Sequence, residues 1–110
     1  MIHLSIETKK LKDIGKIQKE INDFFTKREQ TENQITLAGK LAAKDAFLKG
    51  IGIEQPTDFY KKVEIDKMPS GRPFIRILDS NLSQQLSEYK ISISISHTKE
   101  EAAAICIRYK

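Results

Sequence analysis

The sequence predicts an α+β domain, with helices packed on a largely antiparallel sheet. Two observations lead there. Some stretches alternate apolar and polar residues with the two-residue period of a strand, and others repeat apolar residues every three or four positions, as a helix does. These elements follow one another as strand, two helices, two strands, helix, two strands, with no internal repeat and no low-complexity tail. At 110 residues the chain has material for a single domain, residues 1–110.

The first strand runs from Ile2 to Glu7, with Ile2, Leu4 and Ile6 on one face and His3, Ser5 and Glu7 on the other. It reads as half-buried. Thr8 then offers an N-cap to a long helix carrying Leu11, Ile14, Ile17, Ile21, Phe24 and Phe25. The opposite side of that helix carries Lys9, Lys12, Lys16, Lys19 and Lys27. Gly15 weakens the helix without having to break it. Residues 27–34 are polar and form a loop or a helix boundary. From Ile35 to Leu48 the chain is rich in Ala, Leu and Lys, which favours helix. Gly50 and Gly52 can end it.

Val63 and Ile65 alternate with charged residues as a strand. The run KMPSGRP, residues 67–73, has the composition of a turn. Phe74, Ile75 and Ile77 form the next strand. Residues 79–89 form a short amphipathic helix with Leu82 and Leu86 inward. Residues 91–96 alternate Ile and Ser, and residues 102–109 make the final strand.

Composition narrows the partners. The net charge is +4, which suits an anionic partner. With no tryptophan and 7% aromatic residues, a base-stacking platform is poorly supplied. Zinc-finger spacing, a GXXG clamp and an RNP-like aromatic pattern are all missing, so a basic nucleic-acid-binding domain is a weak alternative. No stretch is long enough to span a bilayer, and the N-terminus lacks the order of a signal peptide. The single Cys106 excludes an internal disulfide and lies in an apolar strand, as a small buried hydrophobe. A cytoplasmic protein without membrane or nucleic-acid partners is expected.

Several residues are out of place for a plain scaffold. Asp45 shares a helix face with Leu41 and Leu48, where an unpaired charge is costly. On the residues alone, an ion pair with Lys49 at i,i+4 is the preferred reading. Glu7 ends the first strand, where an acid can favour a helix start or join Asp45 in holding magnesium. His97 has the parity of Ile91, Ile93 and Ile95 but falls at the strand end. It can be a structural histidine or, beside Ser96, a donor to a phosphate oxygen. Lys40, Lys44 and Lys49 make either a solvated face or a phosphate clamp.

Taken together, four segments resemble holo-acyl carrier protein synthase, the small class of 4'-phosphopantetheinyl transferase. They are LAGKLAAKDAFLKGIG (residues 37–52), SISHT (residues 94–98) followed by AAAICI, SGRPFI (residues 70–75), and SIET (residues 5–8). They occur in the family's order and spacing over nearly the whole chain. The resemblance implies a 4'-phosphopantetheinyl transferase-like fold and a magnesium-dependent transfer of phosphopantetheine from coenzyme A to a serine of an acyl carrier protein, as in fatty acid biosynthesis. It implies Glu7 and Asp45 as metal ligands, and Asp45 with Lys49 as catalytic residues, Asp45 helping to activate the serine. It places Lys40, Lys44, Lys49, Ser96 and His97 near the cofactor phosphates and Gly71, Arg72 and Pro73 over the adenine side. It further implies a homotrimer with sites between subunits, and a basic first-helix face for an acidic carrier protein.

Three departures stand out. The family has Asp where this chain has Glu7 and Glu where it has Asp45, an exchange that keeps the combined reach toward a metal. Ser5 replaces a glycine. The connection near residues 29–36 is short. A relative that binds carrier protein or coenzyme A without turnover is the alternative these departures raise.

Overall fold

The computed structural model describes residues 2–17 and 20–110. Strand β1 (Ile2–Lys10) leads into two short helices, α1 (Leu11–Lys16) and α2 (Ile21–Phe24). The long helix α3 (Gln34–Gly50) follows, then the hairpin β2 (Val63–Lys67) and β3 (Pro73–Ile77), helix α4 (Ser80–Gln85), and the hairpin β4 (Lys90–His97) and β5 (Glu101–Tyr109). This is the expected α+β order. β1 and β4 flank β5 in an antiparallel three-stranded sheet, and β2–β3 forms a separate two-stranded sheet.

α3 is the central rod, with every residue from Leu37 to Leu48 buried. Asn33 caps it by accepting the Thr36 N–H at 2.9 Å. Small side chains let it lie close to the sheet: Ala38, Ala42, Ala43 and Ala46 on the helix, Ala102 and Ala104 on β5. A Cβ at Gly39 would come within 2.7 Å of Ile95 Cγ2. The β2–β3 hairpin is bound by charge, with Glu64 opposite Arg76 in register and bonded to it at 2.9 Å. Gly71, at φ 90°, makes the turn between the strands. Asp79 caps α4, and Leu82 and Leu86 point inward as expected. Cys106 is buried, and burial pushes its thiol up to about 11. No helix among the described residues is long and apolar enough to cross a membrane.

Two expectations are corrected. The long first helix is two pieces, and its start moves: Thr8 is not a cap, because pairing with β5 continues through Lys9↔Ala102 and Lys10↔Glu101. Lys9 therefore belongs to a strand, not to a basic helix face. Lys12 and Lys16 remain exposed on α1, and Lys27 follows α2. Lys19 lies outside the described residues.

The second correction concerns which face of β1 is buried. Ile2, Leu4 and Ile6 are 72%, 61% and 59% exposed, while His3, Ser5, Glu7 and Lys9 face α3. The strand is half-buried with its polar side inward. Ser5 fits because α3 offers Gly50 opposite it, where a Cβ would lie 2.3 Å from Ser5 Oγ. In a double-mutant cycle read by urea unfolding, Gly50→Ala should be more favourable by about 1 kcal/mol in a Ser5→Gly background than in the parent.

Candidate active site

Three lysines predicted to act together on phosphate have three different surroundings. Lys44 is fully buried, and its ammonium donates to Glu29 Oε1 at 2.6 Å, Tyr60 O at 2.7 Å and Phe24 O at 2.9 Å. These use all three of its protons, so none is left for a phosphate. Burial pulls its pKa below the ordinary lysine value, and the charge of Glu29 opposes that pull. Glu29 also accepts the Thr26 N–H at 3.0 Å and the Ile65 N–H at 2.8 Å. The pair thus ties α3 to the loop before it and to β2.

Asp45, one residue on, is 1% exposed and has both oxygens engaged. Oδ1 accepts the Tyr60 hydroxyl at 2.6 Å. Oδ2 lies 2.5 Å from Lys9 Nζ, an ion pair without hydrogen-bond alignment. Its partner is Lys9, not the expected Lys49. Lys49 reaches instead to Glu7 Oε1 at 3.2 Å. Tyr60 is held well above the usual phenol range, first by burial, then by its bond to Asp45 and the charges of Asp45 and Glu7. Glu7, Lys9, Asp45, Lys49 and Tyr60 form one cluster where β1 crosses α3.

The remaining predicted residues divide between two places. Lys40, Gly71, Pro73 and His97 line one cleft of 260 Å³, with Gly39 and Ile95 at its base. Lys40 is 8% exposed and makes a loose pair with Glu32 at 3.7 Å. Ser96 and His97 are separated by strand alternation: His97 shares the inner face with Ile93 and Ile95, and Ser96 faces outward opposite Ala103. Arg72 leaves the cleft and donates to Ser92 Oγ at 2.9 Å.

The sheet joins cleft and cluster. His97 pairs with Ala102, which pairs with Lys9, so the three form one row on the inner face. Two strand spacings put the backbones of His97 and Lys9 about 10 Å apart, with the buried Ala102 between them. Along α3, Lys40 and Asp45 are about 7.5 Å apart in rise. Ala102 is fully buried beneath α3, so Lys40 and His97 stand on one side of it and the paired Glu7, Lys9, Asp45 and Lys49 on the other.

The chain matches known proteins over most of its length. No family model matches it. It is 33% identical over 94 residues to the holo-acyl-carrier-protein synthase of Clostridium botulinum (strain Eklund 17B / Type B), covering 79% of this chain and 76% of that protein. This chain belongs to the holo-acyl-carrier-protein synthase family. The synthase of Bacillus subtilis (strain 168) is 38% identical over 87 residues, covering 77% of this chain and 65% of that protein. The chain thus spans just under two thirds of that relative. Among solved structures, the synthase of Neisseria meningitidis superposes with a TM-score of 0.85 over 100% of both chains at 24% identity. The Helicobacter pylori synthase, solved in complex with coenzyme A, superposes with a TM-score of 0.81 over 96% of this chain and 99% of that one, at 22% identity. Both share the fold.

A synthase of this family is expected to hold magnesium between the two acids. The donor set here does not fit that as arranged. Both Asp45 oxygens are taken, Glu7 is paired with Lys49, and two lysines balance the two carboxylates. Among the described residues there is no group of three or more His, Cys, Asp or Glu side chains placed to hold a metal.

Lys9, Tyr60 and Glu29 were missed in the sequence. Lys9 was legible in principle, since it has the parity of Glu7 on the same strand. Tyr60 and Glu29 lie in irregular segments and carry no periodic signal. Replacing Glu29 with alanine would leave the Lys44 ammonium buried without its counter-charge. It should cost about 3–5 kcal/mol in urea unfolding.

Proposed function

We propose that this protein transfers the 4'-phosphopantetheine group from coenzyme A to a serine hydroxyl of an acyl carrier protein. The observation that carries this reading is the cleft that collects Lys40, Gly71, Pro73 and His97, in a chain that belongs to the synthase family. Coenzyme A presents a pyrophosphate and a further phosphate to such cationic groups. Lys40 and His97 line the cleft that would take one end of it, and Lys9 and Lys49 the other.

In the reaction the serine oxygen forms a bond to the phosphorus next to pantetheine. The bond from that phosphorus to the departing adenosine bisphosphate breaks, and the serine proton passes to a base. Asp45 is held back from this role, being buried with both oxygens engaged. Glu7 is 26% exposed and paired only through Oε1, so it is the carboxylate a serine can reach. Lysines fixed beside the phosphates stabilise the charge that grows on the leaving group. Magnesium would have to displace Lys9 from Asp45.

The exposed apolar face supports self-association. Ile2, Leu4 and Ile6 of β1 lie beside Ile105 and Tyr109 of β5, all at least 37% exposed. Such a patch on a small domain marks an interface. Its occupant in this reading is further copies of the chain, three in all by family resemblance. Light scattering should give the mass of a trimer, and Leu4→Glu should give monomers of unchanged circular dichroism.

The function is tested by incubating the protein with coenzyme A and a panel of apo carrier proteins and reading mass. One added phosphopantetheine on a carrier is the expected result, and Glu7→Gln should slow it at least a hundredfold. No addition on any carrier, with folded protein that binds coenzyme A, would instead point to a relative that binds without turnover.

A further inference from the structure

We propose that the Lys9 ammonium is the resident cation of the acidic pair: it stands at Asp45 where a divalent ion would stand, and offers its free side to a pyrophosphate ester. The proposal deepens the transferase reading and rests on it for the correspondence of Glu7 and Asp45 with metal-ligand positions.

Four observations converge. First, register fixes the direction of Lys9. β1 stays paired with β5 through Lys10, so Lys9 has the parity of Glu7 and must face α3. Its neighbour in the row is Ala102, whose small side chain leaves the long lysine a path to the helix. Second, the contact is close. Nζ lies 2.5 Å from Asp45 Oδ2, while Tyr60 takes Oδ1. A buried carboxylate needs a counter-charge, and the chain supplies one itself.

Third, the charges balance. Glu7 and Asp45 carry two negative charges, and Lys9 and Lys49 carry two positive ones. A divalent ion added here would meet two cations already beside the carboxylates it needs. Fourth, the lysine is not sealed in. The Lys9 side chain is 26% exposed whereas Asp45 is 1% exposed. An anion can therefore reach Lys9 from the solvent side without touching Asp45.

A lysine differs from magnesium in what it can do. It is a point charge with three protons, and it neutralises and orients phosphate oxygens without coordinating them in a fixed octahedron. Removing it should unmask the acids. Manganese(II) is a direct probe, because the free ion is read by electron paramagnetic resonance whether or not any transfer occurs. The parent protein should leave manganese free, and Lys9→Gln, which keeps a donor for Asp45, should bind it at least tenfold more tightly. Adding Asp45→Asn to Lys9→Gln should abolish the gain.

Equal binding by the parent and Lys9→Gln would overturn the proposal, as would a folded Lys9→Gln with no gain. If Lys9→Gln does not fold, the parent alone decides. Tight manganese binding that Asp45→Asn removes overturns the proposal, and free manganese sustains it. A failed transfer assay would count against the transferase reading and leave this result standing, so the two failures are distinguishable.

Discussion

Helix α3 lies on the polar side of β1, and most of what is unusual in this protein follows from that. A strand with three large aliphatic side chains on one face would ordinarily turn them toward the core. Here the helix occupies the other face, above His3, Ser5, Glu7 and Lys9. The core is completed without β1, by alanines of α3 and β5 and by Ile93 of β4. The acids and lysines of β1 are brought against a helix that carries Asp45 and Lys49. The aliphatic face is left outward, where burial of an apolar patch of this kind drives association. One choice of face thus produces both a charged site and an exposed aliphatic patch.

Charge placed inside a small domain must be answered locally, and this chain answers it twice. Lys44 and Glu29 form a closed pair whose protons and oxygens are all spent on protein partners. That pair fixes the loop before α3 and the start of the β2–β3 hairpin, and has no chemistry to spare. The second set, Glu7, Lys9, Asp45 and Lys49, is also paired, but its outer members reach solvent. The difference between frame and site lies in exposure rather than residue type. Lys44 and Lys49 are five residues apart on one helix, yet of the two only Lys49 reaches solvent.

Much of the fold was legible in the residues. The Ala, Leu and Lys content of Ile35–Leu48 located α3 to within two residues, and the Ile-Ser alternation located β4. The turn around Gly71 and the inward Leu82 and Leu86 followed from composition and spacing. The site was less legible. Lys40, Gly71, Pro73 and His97 do share a cleft. Ser96 and Arg72 do not, because strand alternation and an outward bond to Ser92 turn them away. The Lys49 partner of Asp45 was a fair inference from helix spacing, and it failed because a strand distant in sequence offered Lys9 and Glu7 instead.

The sequence by itself determined the elements, their order and the family, since these depend on local periodicity and on motifs read along the chain. Tertiary structure alone decided which face of β1 is buried, which lysine meets which acid, and which side chains the cleft collects. Those outcomes depend on what lies across the strand or helix, and periodicity marks two faces without saying which one a helix will cover. The pairing of Lys9 with Asp45 is the clearest case. Both residues were visible in the chain, but only the register of β1 on β5 and the position of α3 above it set one 2.5 Å from the other.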